Sequence, residues 1–271
     1  MDAISSVRRA SALADLEAMN WFTSIRWLAE TESTNKQLAE ELRNASVTPP
    51  ALLVADRQTG GLGRGGNRWF SPAGCLMFSM AIPFHPKATS LLPLEVGMVV
   101  ARTLAPGCLS RPQVKWPNDV YIDGRKICGV LIDVVQSSSV AIVGIGINCS
   151  VSFESAPEPI RQTATSLHLC RPNRLDSDAS PESILTQFLS AWREWESNRI
   201  ENETLLLDSW PEWSLLDRMW VTVENAVTLS NHTRIEGLCL GIDSSGALKI
   251  AEPNGRVTPV IAGTIASFRT P

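Results

Sequence analysis

Residues 115–133 read KWPNDVYIDGRKICGVLID. Asp123-Gly124 stands there between two apolar runs, and a two-residue Asp-Gly flanked by apolar residues is a strong local signal for a tight β-hairpin. Working outward, VAIVGIGINCS (140–150) and CLMFSMAI (75–82) read as further strands, the second of them buried. ALLVADRQT (51–59) reads as a strand ending in polar residues, and Ile25–Leu28 as a short strand before it. Helical propensity fills the gaps. TESTNKQLAEELRN (31–44) offers Thr34 with Gln37 as a capping box, and Ser33 as the competing cap. A second helix spans about 88–104, with Pro93 forcing a start or kink near its front, and a third spans 182–201 with Ile184, Phe188, Ala191 and Trp195 on or near one stripe. Residues 152–182 are rich in Pro, Ser and Asp and read as loops, with LHLC (167–170) as a short ordered piece.

From about residue 217 the pattern changes. Short β-like segments (219–223, 234–242, 246–250, 256–260 and 265–269) alternate with Asn-His, Ser-Ser-Gly and Pro-Asn-Gly turns, which predicts a small all-β domain. The organisation expected is an N-terminal extension over 1–20, too short to be a folded module and readable as one helix, a main domain over 21–216, and a C-terminal domain over 217–271.

Composition excludes several classes. Among 271 residues, 24 Lys and Arg face 28 Asp and Glu, a net charge of −4, so no broad basic surface for nucleic acid is expected. The most apolar long segment, SLLPLEVGMVVARTL, is broken by Glu95 and Arg102, and MDAISSVRRA lacks the apolar centre of a secretory signal; no membrane partner is expected. Six scattered cysteines with no C-x-x-C pair, and three histidines, do not make a zinc pattern. They read as small buried thiols of a cytoplasmic protein.

Three stretches carry possible chemistry. Gly60-Gly61-Leu62-Gly63-Arg64-Gly65-Gly66-Asn67-Arg68-Trp69 is dense in glycine, so backbone N–H groups can converge on an anion while Arg64 and Arg68 add charge. No Asp or Glu occurs from 57 to 94, whereas Arg57, Arg64, Arg68 and Lys87 do. The ordinary alternative is a plain surface loop, with Trp69 either anchoring it to the core or covering a ligand. No Gly-Lys-Ser/Thr closes a Walker loop, and a strand rather than a helix follows. In the second stretch, alternation over 126–132 puts Lys126, Cys128, Val130 and Ile132 on one face, with Lys126 beside Gly129, where a ligand can approach closely. Such a lysine suits a carboxylate and a phosphoryl oxygen held together, although a lysine beside a hairpin turn is commonly just solvated. The third is Gly144-Ile145-Gly146-Ile147-Asn148: two glycines weaken an apolar strand unless something lies against it, and a β-bulge explains them as well. His85, His168 and His232 have no partner pattern that suggests a triad or a metal set.

Together these stretches resemble the biotin–protein ligase family. The resemblance rests on ESTN (32–35), DRQTGGLGRGGNRWFSPAGCLMFSM (56–80), KWPNDVYIDGRKICGVLID (115–133), GIGIN (144–148) and GIDSSGAL (241–248), in order over some 240 residues. It implies an α/β (α+β) fold: a mixed-sheet, class II synthetase-like catalytic domain followed by a small SH3-like β-barrel. It also implies activation of biotin with ATP and Mg²⁺ to biotinyl-5′-AMP, then transfer to a lysine of a biotin carboxyl carrier protein domain, usually that of acetyl-CoA carboxylase. With so little chain before the first strand, the likeness is to the monofunctional type without a DNA-binding domain.

Carried to matching residues, the resemblance gives the biotin site as Ser33, Thr34, Asn35, Gln58, Gly61, Leu62, Gly63, Lys126, Gly129 and Gly144. The nucleotide side is Arg64, Gly66, Asn67, Arg68, Trp69, Lys115, Asn118, Asp119 and Asn148, with Arg64 and Lys126 as the catalytic pair and Asp119 on the metal side. The chain departs from the family pattern at Leu62 and Asn67, which stand where arginines are usual, and at Thr264, where an acidic residue often stands. Two alternatives keep the same residues in view: a lipoate or octanoyl ligase of the same fold, and a binding protein weakened in the nucleotide step. An exposed sheet edge near Gly144–Ile147 is expected to pair with the carrier domain or with a second copy, so monomer and homodimer are both open.

Overall fold

The structure is a computed structural model and describes residues 3–83, 90–135, 139–171, 179–228 and 233–271. Lys87, His85 and His232 lie outside them. The elements in chain order are α1 (Ala3–Ala18), β1 (Ser24–Leu28), α2 (Thr34–Arg43), β2 (Ala51–Ala55), β3 (Cys75–Pro83), α3 (Leu92–Leu104), β4 (Gln113–Lys115), β5 (Asp119–Ile122), β6 (Arg125–Val135) and β7 (Val140–Asn148). Then follow α4 (Glu158–Thr163), α5 (Leu167–Cys170), α6 (Pro181–Glu201), α7 (Leu205–Trp213), β8 (Trp220–Val227), β9 (Arg234–Ile242), β10 (Leu248–Ala251), β11 (Val257–Val260) and β12 (Ala262–Arg269).

The first seven strands form one mixed sheet in the order β1-β2-β3-β7-β6-β5-β4, parallel only between β1 and β2. Asp123 and Gly124 have φ of 49° and 72°, the left-handed pair that a tight hairpin turn between β5 and β6 requires. The register sorts side chains between the two faces. Leu52, Val54, Leu76, Phe78, Val130, Ile145 and Ile147 point to one face and are buried with α3 and α6, Phe78 meeting Phe188 at 5.5 Å between ring centroids. On the opposite face α2 covers one end only, packing Leu38 on Leu53, Ala81 and Ile142. The rest of that face, where Gly129 pairs with Gly146 and Gly144 lies two residues along β7, is left for a site.

Helix α1 packs on α6 and β1: Leu16 is fully buried, and Arg9 pairs with Asp56 while lying over the Trp27 ring. β2 ends at Ala55 rather than running to 59, and Gln58 makes an isolated parallel bridge with Thr31. The capping box is not formed. Ser33 is the N-cap of α2 with no side-chain cap bond, and the Thr34 N–H donates instead to Gln58 Oε1 at 2.7 Å.

The expectation of an exposed edge at Gly144–Ile147 fails. β7 is paired along its length with β3 on one side and over eight residues with β6 on the other, so its backbone donors and acceptors are consumed inside the sheet. The true outer strands are β1 and β4, and β4 is met by the Val114–Ser214 bridge.

The C-terminal strands form a five-stranded antiparallel sheet, β11-β10-β9-β8-β12. Its outer strands, β11 and β12, do not pair with each other among the described residues, so the sheet is not closed into a barrel. It sits against the first sheet through a Trp116 Nε1–H bond to the Gly246 carbonyl at 3.0 Å and an Arg64 bond to the Gly263 carbonyl at 2.9 Å. None of the helices among the described residues is long and apolar enough to cross a membrane, and all six cysteines are free thiols.

Candidate functional site

The uncovered face of the first sheet is the floor of a cleft of about 610 Å³, walled by the glycine loop on one side and by Asn225, Val227 and Ala262–Ile265 of the second sheet on another. Its composition follows from the pleat and from one irregularity. Between β5 and β6 the pairing slips: Val120 faces Cys128, but Tyr121 faces Lys126, so Ile127 is an extra residue. That bulge corrects the simple alternation. Lys126 shares its face with Asp119, Gly129 and Leu131 in the cleft, while Cys128 and Val130 turn into the core.

One end of the cleft is polar and closed. Ser33, Thr34 and Asn35, at the start of α2, are all buried, and Ser79 of β3 is completely so. Ser79 Oγ lies 2.6 Å from both Thr34 Oγ1 and Asn35 Oδ1, and Asn35 Nδ2 donates to Asp133 Oδ2 at 2.7 Å. Asn35 therefore turns into the protein rather than toward a ligand. Its amide fills the space over Gly144, where an added Cβ would stand 2.1 Å from Oδ1. Gly144 is needed for this close packing.

One strand step along the floor, about 7 Å away, the Trp69 indole lies across Gly146 and Gly129, where an added Cβ would meet it at 2.6 and 3.1 Å. Trp69 is thus packed down on the sheet. Its backbone N–H donates to the Gly61 carbonyl, which ties the loop shut at its base. Gly61 and Gly66 do not line the cleft, whereas Leu62, Gly63, Arg64, Asn67 and Arg68 do. The loop is braced by a Gly63–Asn67 backbone bond of 2.7 Å and by Asn67 Nδ2 on the Arg64 carbonyl at 2.9 Å.

The other end is cationic. Lys126 Nζ is paired with Asp119 Oδ1 at 2.6 Å and stands 5.6 Å from the Trp69 ring. Lys115 Nζ lies over the Tyr121 ring at 4.9 Å and the Phe268 ring at 5.6 Å. Burial pushes the Lys115 pKa below the usual lysine value, against the pull of Asp119, and pushes the Tyr121 hydroxyl up to about 12. Arg64 and Arg68 have no carboxylate partner among the described residues, which leaves their charge available to an anion. Asn118 is pinned between β5 and β6, its Nδ2 donating to the Val130 carbonyl at 2.7 Å.

Asn148 does not belong to the cleft. It is buried at the far end of β7 and its amide donates to the Thr165 carbonyl at 3.0 Å, so it ties the α4–α5 segment to the sheet. The sequence did not single out Ser79, Leu131, Asp133, Tyr121 or the wall from β8 and β12. A lone serine inside the apolar CLMFSMAI is the one local signal that pointed to the first. As for metal, no group of three or more His, Cys, Asp or Glu residues suited to an ion occurs among the described residues. Asp119 is the carboxylate lining the cleft.

Residues 27–150 match the model of the Biotin/lipoate A/B protein ligase family. A biotin–[acetyl-CoA-carboxylase] ligase of Paracoccus denitrificans is 29% identical over 84% of this chain and 95% of its own. The bifunctional ligase/repressor BirA of Escherichia coli is 28% identical over 90% of this chain and 74% of its own. Among solved structures, a biotin protein ligase from Aquifex aeolicus, in complex with biotin and ATP, superimposes with a TM-score of 0.75 at 29% identity, covering 92% of this chain and all of that one.

Proposed function

We propose that the protein, whose residues 27–150 match the model of the Biotin/lipoate A/B protein ligase family, activates biotin with ATP to biotinyl-5′-AMP and transfers it to a lysine of a biotin carboxyl carrier protein domain, that of acetyl-CoA carboxylase. The observation that carries the reading is the polarity of one cleft. A closed end built of neutral donors and acceptors faces a cationic end across the same cleft. Biotin is a molecule of that pattern, with an uncharged ureido ring at one end and a carboxylate at the other. Its ring is held at Ser33, Thr34 and Gln58, its tail runs past Leu62 and Gly63 along the Trp69 indole that covers Gly129, and its carboxylate meets Lys126.

The chemistry needs charge more than it needs a nucleophile. A carboxylate oxygen attacks the α-phosphorus, pyrophosphate leaves, and negative charge accumulates on the phosphoryl oxygens. Lys126 and Arg64 neutralise it together with Arg68 and Lys115, while Asn67, Asn118 and Asp119 line the nucleotide side. When Mg²⁺ is bound with the nucleotide it supplies further positive charge at the phosphates. Asp119, with Asn118, is the side-chain set that would hold such an ion, since magnesium is commonly carried by one or two carboxylates together with phosphates. In the second step the carrier lysine amine attacks the mixed anhydride and AMP leaves. Residues 21–216 are the catalytic domain in this reading, and 217–271 an SH3-like domain that walls its nucleotide side.

The test is transfer of labelled biotin to a purified carboxyl-carrier domain with ATP and Mg²⁺, with lipoate as a competing acid and Lys126→Ala alongside. Biotin transfer that falls by about 10²-fold or more in the variant, as removal of one transition-state charge contact predicts, supports the reading. Transfer of lipoate in place of biotin, or biotin binding with no ATP-dependent transfer, overturns it.

A further inference from the structure

We infer that a relay behind the cleft, Asp133–Asn35–Ser79, sets the hydrogen-bond polarity of Thr34 and so selects a ligand that presents an N–H at the closed end. The inference rests on biotin as the substrate and adds positioning residues to that site.

The argument is one of proton counting. Asn35 has one amide nitrogen and one amide oxygen, and either can face a given neighbour until the neighbours decide. Asp133 Oδ2 lies 2.7 Å from one of them, and the Leu131 carbonyl lies 3.4 Å from the same atom. Both neighbours can only accept, so that atom is the NH₂ group. Asn35 Oδ1 then faces Ser79 at 2.6 Å, and as an oxygen without a proton it must accept. The single hydroxyl proton of Ser79 is consumed there.

Ser79 Oγ is also 2.6 Å from Thr34 Oγ1. With its own proton committed to Asn35, Ser79 can only accept at this contact, and Thr34 donates. The remaining partner of the Thr34 hydroxyl, Gln58 Oε1 at 3.2 Å, is likewise an acceptor. That oxygen already receives the Thr34 backbone N–H at 2.7 Å and is the more distant of the two, so the Thr34 proton goes to Ser79 and points into the protein. Its lone pairs are what the cleft sees. Gln58, which lines the cleft, completes the pattern: its Oε1 is held by the Thr34 N–H at 2.7 Å, which leaves its NH₂ group, on the side of the glycine loop, as the donor. The closed end therefore presents an acceptor and a donor side by side, complementary to the N–H and C=O of a cyclic urea. None of the three relay residues needs to touch the ligand to impose this. The relay is sheltered: Ser79 is fully buried and Asn35 nearly so, and only Asp133 at its outer end is exposed.

The test uses calorimetry on the full chain with biotin and with the two cyclic-carbamate analogues in which one or other ureido N–H is replaced by ring oxygen. The analogues keep the shape and carboxylate but set an oxygen against Thr34 in one of the two cases. Wild type is expected to bind that analogue about 10²-fold more weakly than biotin, the scale of a buried bond lost with its acceptor left facing another acceptor. In Ser79→Ala the Thr34 hydroxyl keeps only its long contact to Gln58 Oε1 at 3.2 Å, its proton can turn outward, and the ratio is expected to fall to about tenfold or less. Asp133→Asn, at the exposed end and tolerant of exchange, frees the Asn35 amide to flip and moves the ratio the same way by a smaller factor. A general packing defect would weaken biotin and the analogue equally and leave the ratio alone. An unchanged ratio in both variants, with biotin bound by wild type, overturns the relay and leaves the functional reading standing. Wild type that binds no biotin overturns both.

Discussion

At the scale of single residues, the cationic end of the cleft is thinner than the family pattern it resembles, because Leu62 and Asn67 occupy two positions where arginine is usual. Both side chains line the cleft, and Leu62 is an exposed large apolar residue in an otherwise polar wall. Arg68, adjacent to Asn67, spends a guanidinium contact on the Thr59 carbonyl at 3.3 Å rather than on a carboxylate. Leu62→Arg and Asn67→Arg are each expected to tighten ATP binding by about three- to tenfold, the worth of one charge-assisted contact at a partly exposed site. Biotin affinity should be unmoved in Asn67→Arg. Calorimetric titration of ATP into each variant checks this, and unaltered nucleotide affinity would remove the significance given to these two departures. Arg64, Lys126, Thr34 and Gln58, singled out in the sequence, all line one cleft, whereas Gly61, Gly66 and Asn148 do not. What was not legible was direction. Asn35 faces inward because Ser79 and Asp133 offer it better partners than the cleft does, and those partners come from strands 44 and 98 residues away in sequence.

At the scale of elements, the contact between α3 and α6 contains a group that burial works against. Glu95 of α3 is 2% exposed, with Oε1 3.7 Å from Arg199 of α6 and Oε2 buried without a hydrogen-bond partner. Burial holds its pKa above the ordinary carboxylate value, with Arg199 pulling the other way. The sign follows from proton binding. Between 4.5 and the raised native pKa the folded chain binds more protons at Glu95 than the unfolded chain does, so its contribution to stability falls as pH rises through that window. Below 4.5 both states are protonated and the contribution is constant. Glu95→Gln is expected to melt at a temperature that rises relative to wild type as pH increases through the window, measured by thermal denaturation across a pH series. A parallel pair of curves would show the buried carboxyl to be fully compensated. Elements with strong local chemistry were readable: the Asp-Gly hairpin, the apolar β3 and the long α6 lie where the pattern puts them. Others carry no local signal. β4 is three residues long, α7 contains Pro211, which argues against a helix, and the bulge at Ile127 depends on the partner strand rather than on its own sequence. The mistaken sheet edge had a warning in it, because a continuous apolar run such as VAIVGIGI is the mark of a strand covered on both sides.

At the scale of the whole molecule, the cleft is complete only because the two sheets are held at one angle. Trp116, immediately after β4, is buried and donates to the Gly246 carbonyl in the turn before β10, while Arg64 of the loop bonds to Gly263 of β12. Trp116→Phe keeps the packing and removes the donor. It should cost about 1–3 kcal/mol of stability, the penalty of a buried carbonyl left without a partner. Because Asn225, Val227 and Ala262–Ile265 wall the cleft, the same change is expected to raise the apparent KM for ATP more than that for biotin. Steady-state kinetics with each substrate varied in turn would show this, and equal effects on both would mean that the second sheet does not govern the nucleotide side. The order of strands and the angle between sheets were beyond local reading, since neither is set by a periodicity.

The position of β7 has a further consequence for how the protein wears out. A strand clasped from both sides opens only when the entire sheet melts, so the floor under the ligand is as durable as the molecule itself. The glycine loop above it belongs to no strand of that sheet and is held by a few bonds and the Trp69 indole. Under mild heat or denaturant, activity should therefore fade first through fraying of that roof, reversibly, while the sheet beneath stays intact.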